Sequence, residues 1–510
     1  MSLFKMAGTG KVYLVGAGPG DCGLLTVKGF EKLKTADVVV YDRLINNELL
    51  SCCKKDCEKI FVGKESGYHP IEQEKITEIL LKKSQGGYNV VRLKGGNPFI
   101  FGRGSEEAIE LKKAGIDYEI IPGITSGLAA PIYSGIPITQ RGLITQCVFV
   151  TAHECPGKPG TQVEWEKLAK LKNTSLIIYM GASRITKISE KLIEYGMEPS
   201  MPAAVVENGT LPKQRTITGR LDSISEIFRK ENFHAPAIII ISPAISLRDE
   251  ISWFEKKPLL NKRIVITGEK TQQDELYTEL NELGAEVIRL SFIKTQIKNP
   301  WIDIQELFIK NNFEWILFTG ENEVNSFFEL LKGKKFDSRI FGNKKIASIG
   351  SATSKALETY GLCADYTREN LISSVATENE FSSLNMNGHD LLWIKNFDEH
   401  QQVPVEFKSV EERIRTINVC EYLPDNPDPN VVADIEKNGA DVFVFTTPAS
   451  IVNFFTLFSN ETIAKTINSA KVLVTNPAAA GVLCYKNLKN IIVSSKQSVQ
   501  GICEVIKSLF

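Results

Sequence analysis

The chain has 510 residues, enough for about three or four domains, and its 43% hydrophobic and 24% charged content fits soluble globular protein with several cores. A net charge of −1 excludes any bulk electrostatic pull toward nucleic acid or an anionic membrane. No uninterrupted apolar run of about 18 residues occurs and Met1 to Lys11 lacks the apolar core of a signal peptide, so the expectation is a cytoplasmic protein without membrane or nucleic-acid partners.

Ten cysteines are scattered, with one cluster at Cys52, Cys53 and Cys57. No second pair with zinc spacing follows it, and Lys54, Lys55 and Asp56 lie within it, so free thiols and no metal are expected. Five histidines spread along the chain point the same way.

Lys11 to Val15 reads as a buried strand, and Gly16-Ala17-Gly18-Pro19-Gly20-Asp21 as the loop after it. Helical spacing from Leu24 places Leu24, Leu25, Val27, Phe30 and Leu33 on one side. The loop resembles a dinucleotide fingerprint poorly, because Asp21 stands where a third Gly or Ala allows close packing. Pro19 also removes an N–H that a pyrophosphate would use. A nicotinamide site and a plain turn are the alternatives; a ligand without phosphate, bound along the backbone, fits better.

Asp37 to Asp42 is a second buried strand ending on a carboxylate, and a further strand leads to Ile60-Phe61-Val62-Gly63-Lys64. A helix from about Ile71 to Gln85 precedes the strand Asn89 to Leu93, which runs into the second glycine loop, Lys94 to Phe99. Ser105 to Ala114 reads as a helix with Ser105 as its N-cap and an acidic first turn, closed by Gly115. A strand into Pro122-Gly123-Ile124-Thr125-Ser126-Gly127 completes a parallel α/β domain.

A second α/β unit follows, with strands near 146–152, 175–181, 202–206 and 236–242, and Leu247 to Pro258 leads out of it. The pattern restarts at Lys262 to Gly268. Phe318-Thr319 followed by Phe327-Phe328 recurs as Phe445-Thr446 followed by Phe454-Phe455, and Lys345 to Gly350 as Lys471 to Asn476. A shift of 126–127 residues suits two similar α/β domains in tandem.

Residues 10–255 resemble the uroporphyrinogen-III C-methyltransferase family of the tetrapyrrole methylases. The resemblance rests on VYLVGAGPGD (12–21), VVVYDRL (38–44), FVGK (61–64), RLKGGNPFIFGRG (92–104), PGITSGLAA (122–130), SGIPITQRG (134–142), IYMG (178–181) and ENGT (207–210). It implies S-adenosylmethionine in a cleft between two α/β domains and methylation of uroporphyrinogen III at two pyrrole carbons, giving precorrin-2. Carried over by position, the co-substrate contacts Pro19, Gly95, Gly96, Asn97, Ile100, Thr125, Ser126, Met180 and Gly209. Asp42 takes the proton-acceptor position and Lys64 the proton-donor position. In-line methyl transfer depends on positioning, and a strand-end carboxylate can take the proton the ring then sheds. The plainer reading of Asp42 is a cap or a partner of Arg43; the plainer readings of Lys64 are a solvated side chain or a hold on a substrate carboxylate.

The substrate's eight carboxylates call for cations along the open side of the cleft, with Arg43, Arg92, Lys94, Arg103, Arg141, Lys213 and Arg215 as candidates. Asn97 stands where the family usually has Asp, and Gln140 where His is common, so weaker co-substrate affinity or a shifted tetrapyrrole preference is expected.

Residues 258–510 resemble uroporphyrinogen-III synthase, which closes hydroxymethylbilane while inverting one ring. The resemblance assigns its tyrosine to Tyr422 and places Ser351, Thr353, Thr446, Thr447 and Ser450 in loops that hold acetate and propionate groups. Departures are Gly268 for Arg, Gly320 for Ser, and Asn476-Pro477-Ala478-Ala479 for a hydroxyl-bearing loop. Three functions compete: a bifunctional enzyme, a methylase with a non-catalytic synthase-like module, and a nucleotide-dependent oxidoreductase. The expected architecture is a methylase half, 1–250, with subdomains 10–122 and 123–250. It is followed by a synthase half, 258–510, made of 258–296 plus 424–510 with 297–423 inserted. A homodimer through the methylase half is implied by the family.

Overall fold

The computed structural model describes residues 10–54, 56–63, 73–152, 162–268, 270–297, 308, 313–368, 390–397, 411–424, 427–446, 448–458, 466–475, 480, 483, 488, 490–494 and 498–510. Two compact units result: residues 1–262 with 280–286 and 510, and residues 263–279 with 287–509.

The first unit contains two five-stranded sheets. In the N-terminal one, β1 (Val12–Gly16), β2 (Val38–Tyr41), β3 (Glu58–Phe61), β4 (Val90–Lys94) and β5 (Tyr118–Ile121) lie in the order β3-β2-β4-β1-β5, every pair parallel. Its inner strands are covered on both faces, which is why Val38-Val39-Val40 and Val90-Val91 read as unbroken apolar runs. β1 lies between β4 and β5, so the crevice at the strand ends is framed by the loops that follow these three strands.

Two local expectations fail here for stated reasons. The first helix begins at Val27 rather than Leu24, because Thr26 Oγ1 accepts the Gly29 N–H (3.1 Å) and caps it. Asp21 separately caps a short turn by accepting from Gly23 N (2.8 Å), and Val27 is left 81% exposed. In the helix Gly104–Lys113, Arg103 rather than Ser105 occupies the cap position, in a left-handed conformation (φ 56°).

The second sheet has β6 (Gln146–Thr151), β7 (Thr174–Tyr179), β8 (Pro202–Glu207), β9 (Arg215–Arg220) and β10 (Ala237–Ile241) in the order β6-β7-β10-β8-β9. β6 and β7 are parallel, whereas β10 runs antiparallel to β7 and β8, and β9 antiparallel to β8. The edge strand β9 carries Ile217 as its one buried residue among polar ones, a weak signal that the sequence reading passed over. The helix Ser126–Tyr133 follows β5 and buries Ala130 against Ile177, Val206 and Ile240 of this second sheet.

Beyond β10 the chain packs back on the same unit. Phe254 is buried against Tyr133 (ring centroids 4.8 Å), and Glu255 accepts from Gln214 Nε2 (2.7 Å) and Arg248 Nη2 (2.5 Å). Tyr133 in turn donates to Asp21 Oδ2 (2.7 Å), tying that helix to the loop after β1.

The second unit also holds two sheets. One is β12-β11-β19-β20-β21, from β11 (Arg263–Thr267), β12 (Glu286–Leu290), β19 (Val442–Phe445), β20 (Lys471–Val474) and β21 (Ile491–Val493). The other is β13-β18-β17-β14-β15-β16, from β13 (Ile293–Ile297), β14 (Trp315–Phe318), β15 (Lys345–Ile349), β16 (Tyr366–Arg368), β17 (Leu391–Asn396) and β18 (Ile414–Pro424). Its long strand β18 runs parallel to β17 and then antiparallel to β13. Each sheet has its own aromatic core, Phe318, Phe327 and Phe341 in one and Phe443, Phe445 and Phe454 in the other. No helix among the described residues is long and apolar enough to cross a membrane.

Tyr133→Phe removes the hydroxyl that Asp21 holds and is expected to cost about 1–2 kcal/mol in denaturant unfolding. A variant as stable as the parent would show that this bond adds nothing to the fold.

Candidate functional site

Three strand-end loops of the first unit meet backbone to backbone. Gly18 and Gly96 form a two-bond antiparallel bridge, Gly18 N donating to Gly96 O (3.2 Å) and Gly96 N to Gly18 O (2.7 Å). Ala17 N also donates to Lys94 O (2.7 Å). A Cβ on Gly123 would lie 2.3 Å from Gly96 O, and one on Gly16 2.5 Å from Gly123 N, so glycine is required at both. Gly96 is different: with φ 66° its missing Cβ would meet nothing nearer than Ser126 N at 3.8 Å.

Asn97 ties the loop after β4 to the loop after β5. Its Nδ2 donates to Gly123 O (3.0 Å) while its Oδ1 accepts from Phe99 N (2.9 Å). A carboxylate here could not make the first of these bonds. Ile100 packs in the apolar cluster that contains Ala130 and Tyr179.

The second sheet closes on the same loops. Tyr179, the last residue of β7, places its hydroxyl 2.7 Å from Thr125 Oγ1 and accepts from Gly127 N (2.8 Å). Burial raises the pKa of this phenol, so it stays protonated and serves as a hydrogen-bond group. Met180 follows in a left-handed conformation (φ 54°), exposed, a strain that clusters at functional sites. Gly209 sits where a Cβ would lie 2.5 Å from Ala130 Cβ, and its neighbour Thr210 accepts the Asp21 N–H (3.1 Å). Pro19, Gly95, Gly96, Asn97, Ile100, Thr125, Ser126, Met180 and Gly209 therefore all stand on loops that these contacts join.

Asp42 pairs with Arg92, not with Arg43. Arg92 Nη2 donates to Asp42 Oδ1 (2.6 Å), and Asp42 Oδ2 has no hydrogen-bond partner among the described residues. The Arg92 side chain is buried, bonding Val40 O (3.3 Å), Leu93 O (3.2 Å) and Glu107 Oε1 (3.2 Å). Lys94 is buried too, its Nζ 2.9 Å from the same Glu107 oxygen. Burial and then the Arg92 charge lower the Lys94 pKa.

These pairings correct the expected cation lining. Arg92 and Lys94 point into the protein, Arg103 pairs with Glu106 (2.7 Å) and Arg215 with Glu207 (2.5 Å). Arg43, Arg141 and Lys213 are exposed. Lys64 lies outside the described residues.

In the second unit, Tyr422 pairs with Thr295 in the β13–β18 ribbon, two residues before the strand ends; its side chain lies outside the description. Thr353 and Thr446 are buried and donate to backbone, to Ile349 O (2.7 Å) and Thr267 O (3.1 Å), rather than facing outward. Ser450 is buried as well. Gly268 is packed so closely that a Cβ would fall 1.9 Å from Thr446 Oγ1. Thr447, the Ser351 side chain and Asn476 to Ala479 lie outside the described residues.

The sequence reading missed Tyr179, Thr210 and Glu107 as parts of this region, and gave Asp21 a place in the first loop without its partners. Tyr179 and Thr210 lay inside motifs already singled out, but nothing local showed that their hydroxyls reach residues 54 and 189 positions away. In the cysteine cluster Cys57 is buried and Cys52 and Cys53 are half-buried, all three as free thiols. Burial, then Cys57, pushes the Cys53 thiol up to about 12, and no group of three or more metal-binding side chains occurs among the described residues.

Residues 11–225 match the tetrapyrrole (corrin/porphyrin) methylases and residues 274–504 match uroporphyrinogen-III synthase HemD. The porphyrin biosynthesis protein HemD of Ruminiclostridium josui is 41% identical over 367 residues, 71% of this chain and 71% of that protein. The uroporphyrinogen-III C-methyltransferase of Bacillus subtilis is 41% identical over 330 residues, 65% of this chain and 68% of that protein. Among solved structures, the uroporphyrin-III C-methyl transferase of Thermus thermophilus complexed with S-adenyl homocysteine is 37% identical with a TM-score of 0.41. It covers 47% of this chain and 100% of that one.

Gly123→Ala forces a methyl into the Gly96 carbonyl and is expected to cost about 1–3 kcal/mol by thermal unfolding. Unchanged stability would mean that the loops separate freely.

Proposed function

Because the chain belongs to the tetrapyrrole (corrin/porphyrin) methylases in its first half and to the uroporphyrinogen-III synthases in its second, we propose that it is a cytoplasmic bifunctional enzyme. The second half closes hydroxymethylbilane to uroporphyrinogen III, and the first methylates that product at two pyrrole carbons to give precorrin-2. The observation that carries the methylase reading is the convergence of loops from both sheets on Gly96, Asn97, Thr125 and Gly209, beside the half-exposed carboxylate of Asp42.

The residues fit a co-substrate without phosphate. Pro19 offers no N–H, the Asp21 carboxylate is spent on Gly23 N and Tyr133, and the backbone beside Gly96 is open to close approach. S-adenosylmethionine, when bound, supplies an electrophilic methyl group. Pro19, Gly95, Gly96, Asn97, Ile100, Thr125, Ser126, Met180 and Gly209 hold it, Gly96 through backbone that no side chain covers. Asp42 accepts the proton that a methylated pyrrole carbon sheds, through the oxygen Arg92 leaves free. Lys64 returns a proton, and Arg43, Arg141 and Lys213 grip substrate carboxylates. Two such halves associate as a homodimer. In the synthase half Tyr422 assists departure of the hydroxyl.

A second reading has a specific observation in its favour. The hydroxyls of Thr353 and Thr446 are committed to backbone and Gly268 is closed against Thr446, which leaves fewer donors for a polyanion. On that reading the C-terminal half binds without catalysing.

Hydroxymethylbilane given to the purified protein without S-adenosylmethionine separates the two. Type III uroporphyrin above the spontaneous background after oxidation is the expected result; type I alone would leave a methylase with a silent module. Asp42→Asn is expected to lower the methylation kcat by about 10²–10⁴. A kcat equal to the parent's would remove Asp42 from the proton-acceptor role.

A further inference from the structure

The first unit buries three charged side chains that neither the fold nor the reading above requires. Arg92 and Lys94 are two apart on β4 and so share one face. On that face the helix Gly104–Lys113 brings Glu107, which is 0% exposed. One of its oxygens gathers three donors, Arg92 Nε (3.2 Å), Lys94 Nζ (2.9 Å) and Gln73 Nε2 (2.9 Å), while Oε2 has no partner among the described residues. Its surroundings are apolar, Val40, Val90, Ala108 and Leu111 all lying in the adjoining core.

Burying such a cluster costs several kcal/mol per ion before any pairing is regained, and apolar residues of the same size would serve the core as well or better. Stability does not explain it. Its outer end does: Arg92, 2% exposed, reaches from Glu107 to the 30% exposed Asp42.

We infer that Glu107 is a positioning residue for methyl transfer, holding the Arg92 guanidinium so that one oxygen of Asp42 is pinned and the other is presented to substrate. The inference rests on the reading of Asp42 as proton acceptor. All named donors of Arg92 are engaged, Nη1 to Val40 O and Leu93 O, Nε to Glu107, Nη2 to Asp42, so the planar group cannot turn without breaking several bonds. Glu107 also balances charge. The groups facing Asp42 are Arg92 and Lys94 from β4, Glu107 behind them and Arg43 next in the chain.

The test is a double-mutant cycle on the full chain, reading uroporphyrinogen III methylation at saturating S-adenosylmethionine and, separately, S-adenosylhomocysteine binding by calorimetry. Glu107→Gln is expected to lower kcat about tenfold or more with the binding constant unchanged, and to cost less than about twofold when Asp42 is already Asn. Arg92→Lys keeps the buried charge but breaks the fork, and the same non-additivity is expected; it decides the matter if Glu107→Gln does not fold. A full kcat for Glu107→Gln, or a loss that simply multiplies with that of Asp42→Asn, overturns the inference and leaves Asp42 in its role. An Asp42→Asn enzyme with full kcat overturns the reading of Asp42 itself, and with it any action of Glu107 through that residue.

Discussion

The candidate site depends on the close approach of bare backbone. Gly16, Gly96 and Gly123 sit at the ends of β1, β4 and β5, and side chains at Gly16 or Gly123 would fall within 2.7 Å of main-chain atoms. Each glycine loses more conformational freedom on folding than any other residue would, and in exchange three loops lock into one surface. Everything nearby takes its place from that contact. Asn97 bridges it, Thr125 begins a helix beside it, and Asp21 reaches across to Thr210 and Tyr133. The rigidity matters for methyl transfer, where rate depends on holding two reacting atoms in line rather than on strong acid or base chemistry.

A second principle runs beneath the first. The fold places its strongest charges where they are least useful for binding and most useful for orientation. Arg92 and Lys94 lie beneath the strand ends, neutralised by Glu107 and Asp42, whereas Arg43, Arg141 and Lys213, proposed above to grip substrate carboxylates, are exposed. Buried cations preset geometry at a desolvation penalty; exposed ones are screened and mobile, suited to a bulky polyanion that must enter and leave.

The second unit follows other rules. Its two sheets are joined by the antiparallel ribbon of β13 and β18, and Tyr422 lies near the end of that ribbon. Its strand-end hydroxyls turn inward to backbone carbonyls, as buried polar groups must when no other partner is at hand.

The sequence alone determined the buried strands it named, the glycine loops and the family resemblance of both halves, because these are local: unbroken Val runs, Gly-Pro punctuation and motifs such as RLKGGNPF are read within ten residues. It also carried the departures, Asn97, Gln140 and Gly268, with an expectation of weaker or shifted binding but no contacts to explain it. Only the tertiary structure decided what those identities do. Asn97 became a tie between two loops, Gly268 a close fit against Thr446, and Arg92 a buried strut rather than a substrate ligand. The helix start at Val27 and the edge strand β9 were likewise settled by a cap and by a single buried Ile217. The physical reason is common to all of them. Whether a polar side chain faces ligand, solvent or another side chain depends on which distant segment meets it, and no local periodicity encodes that meeting.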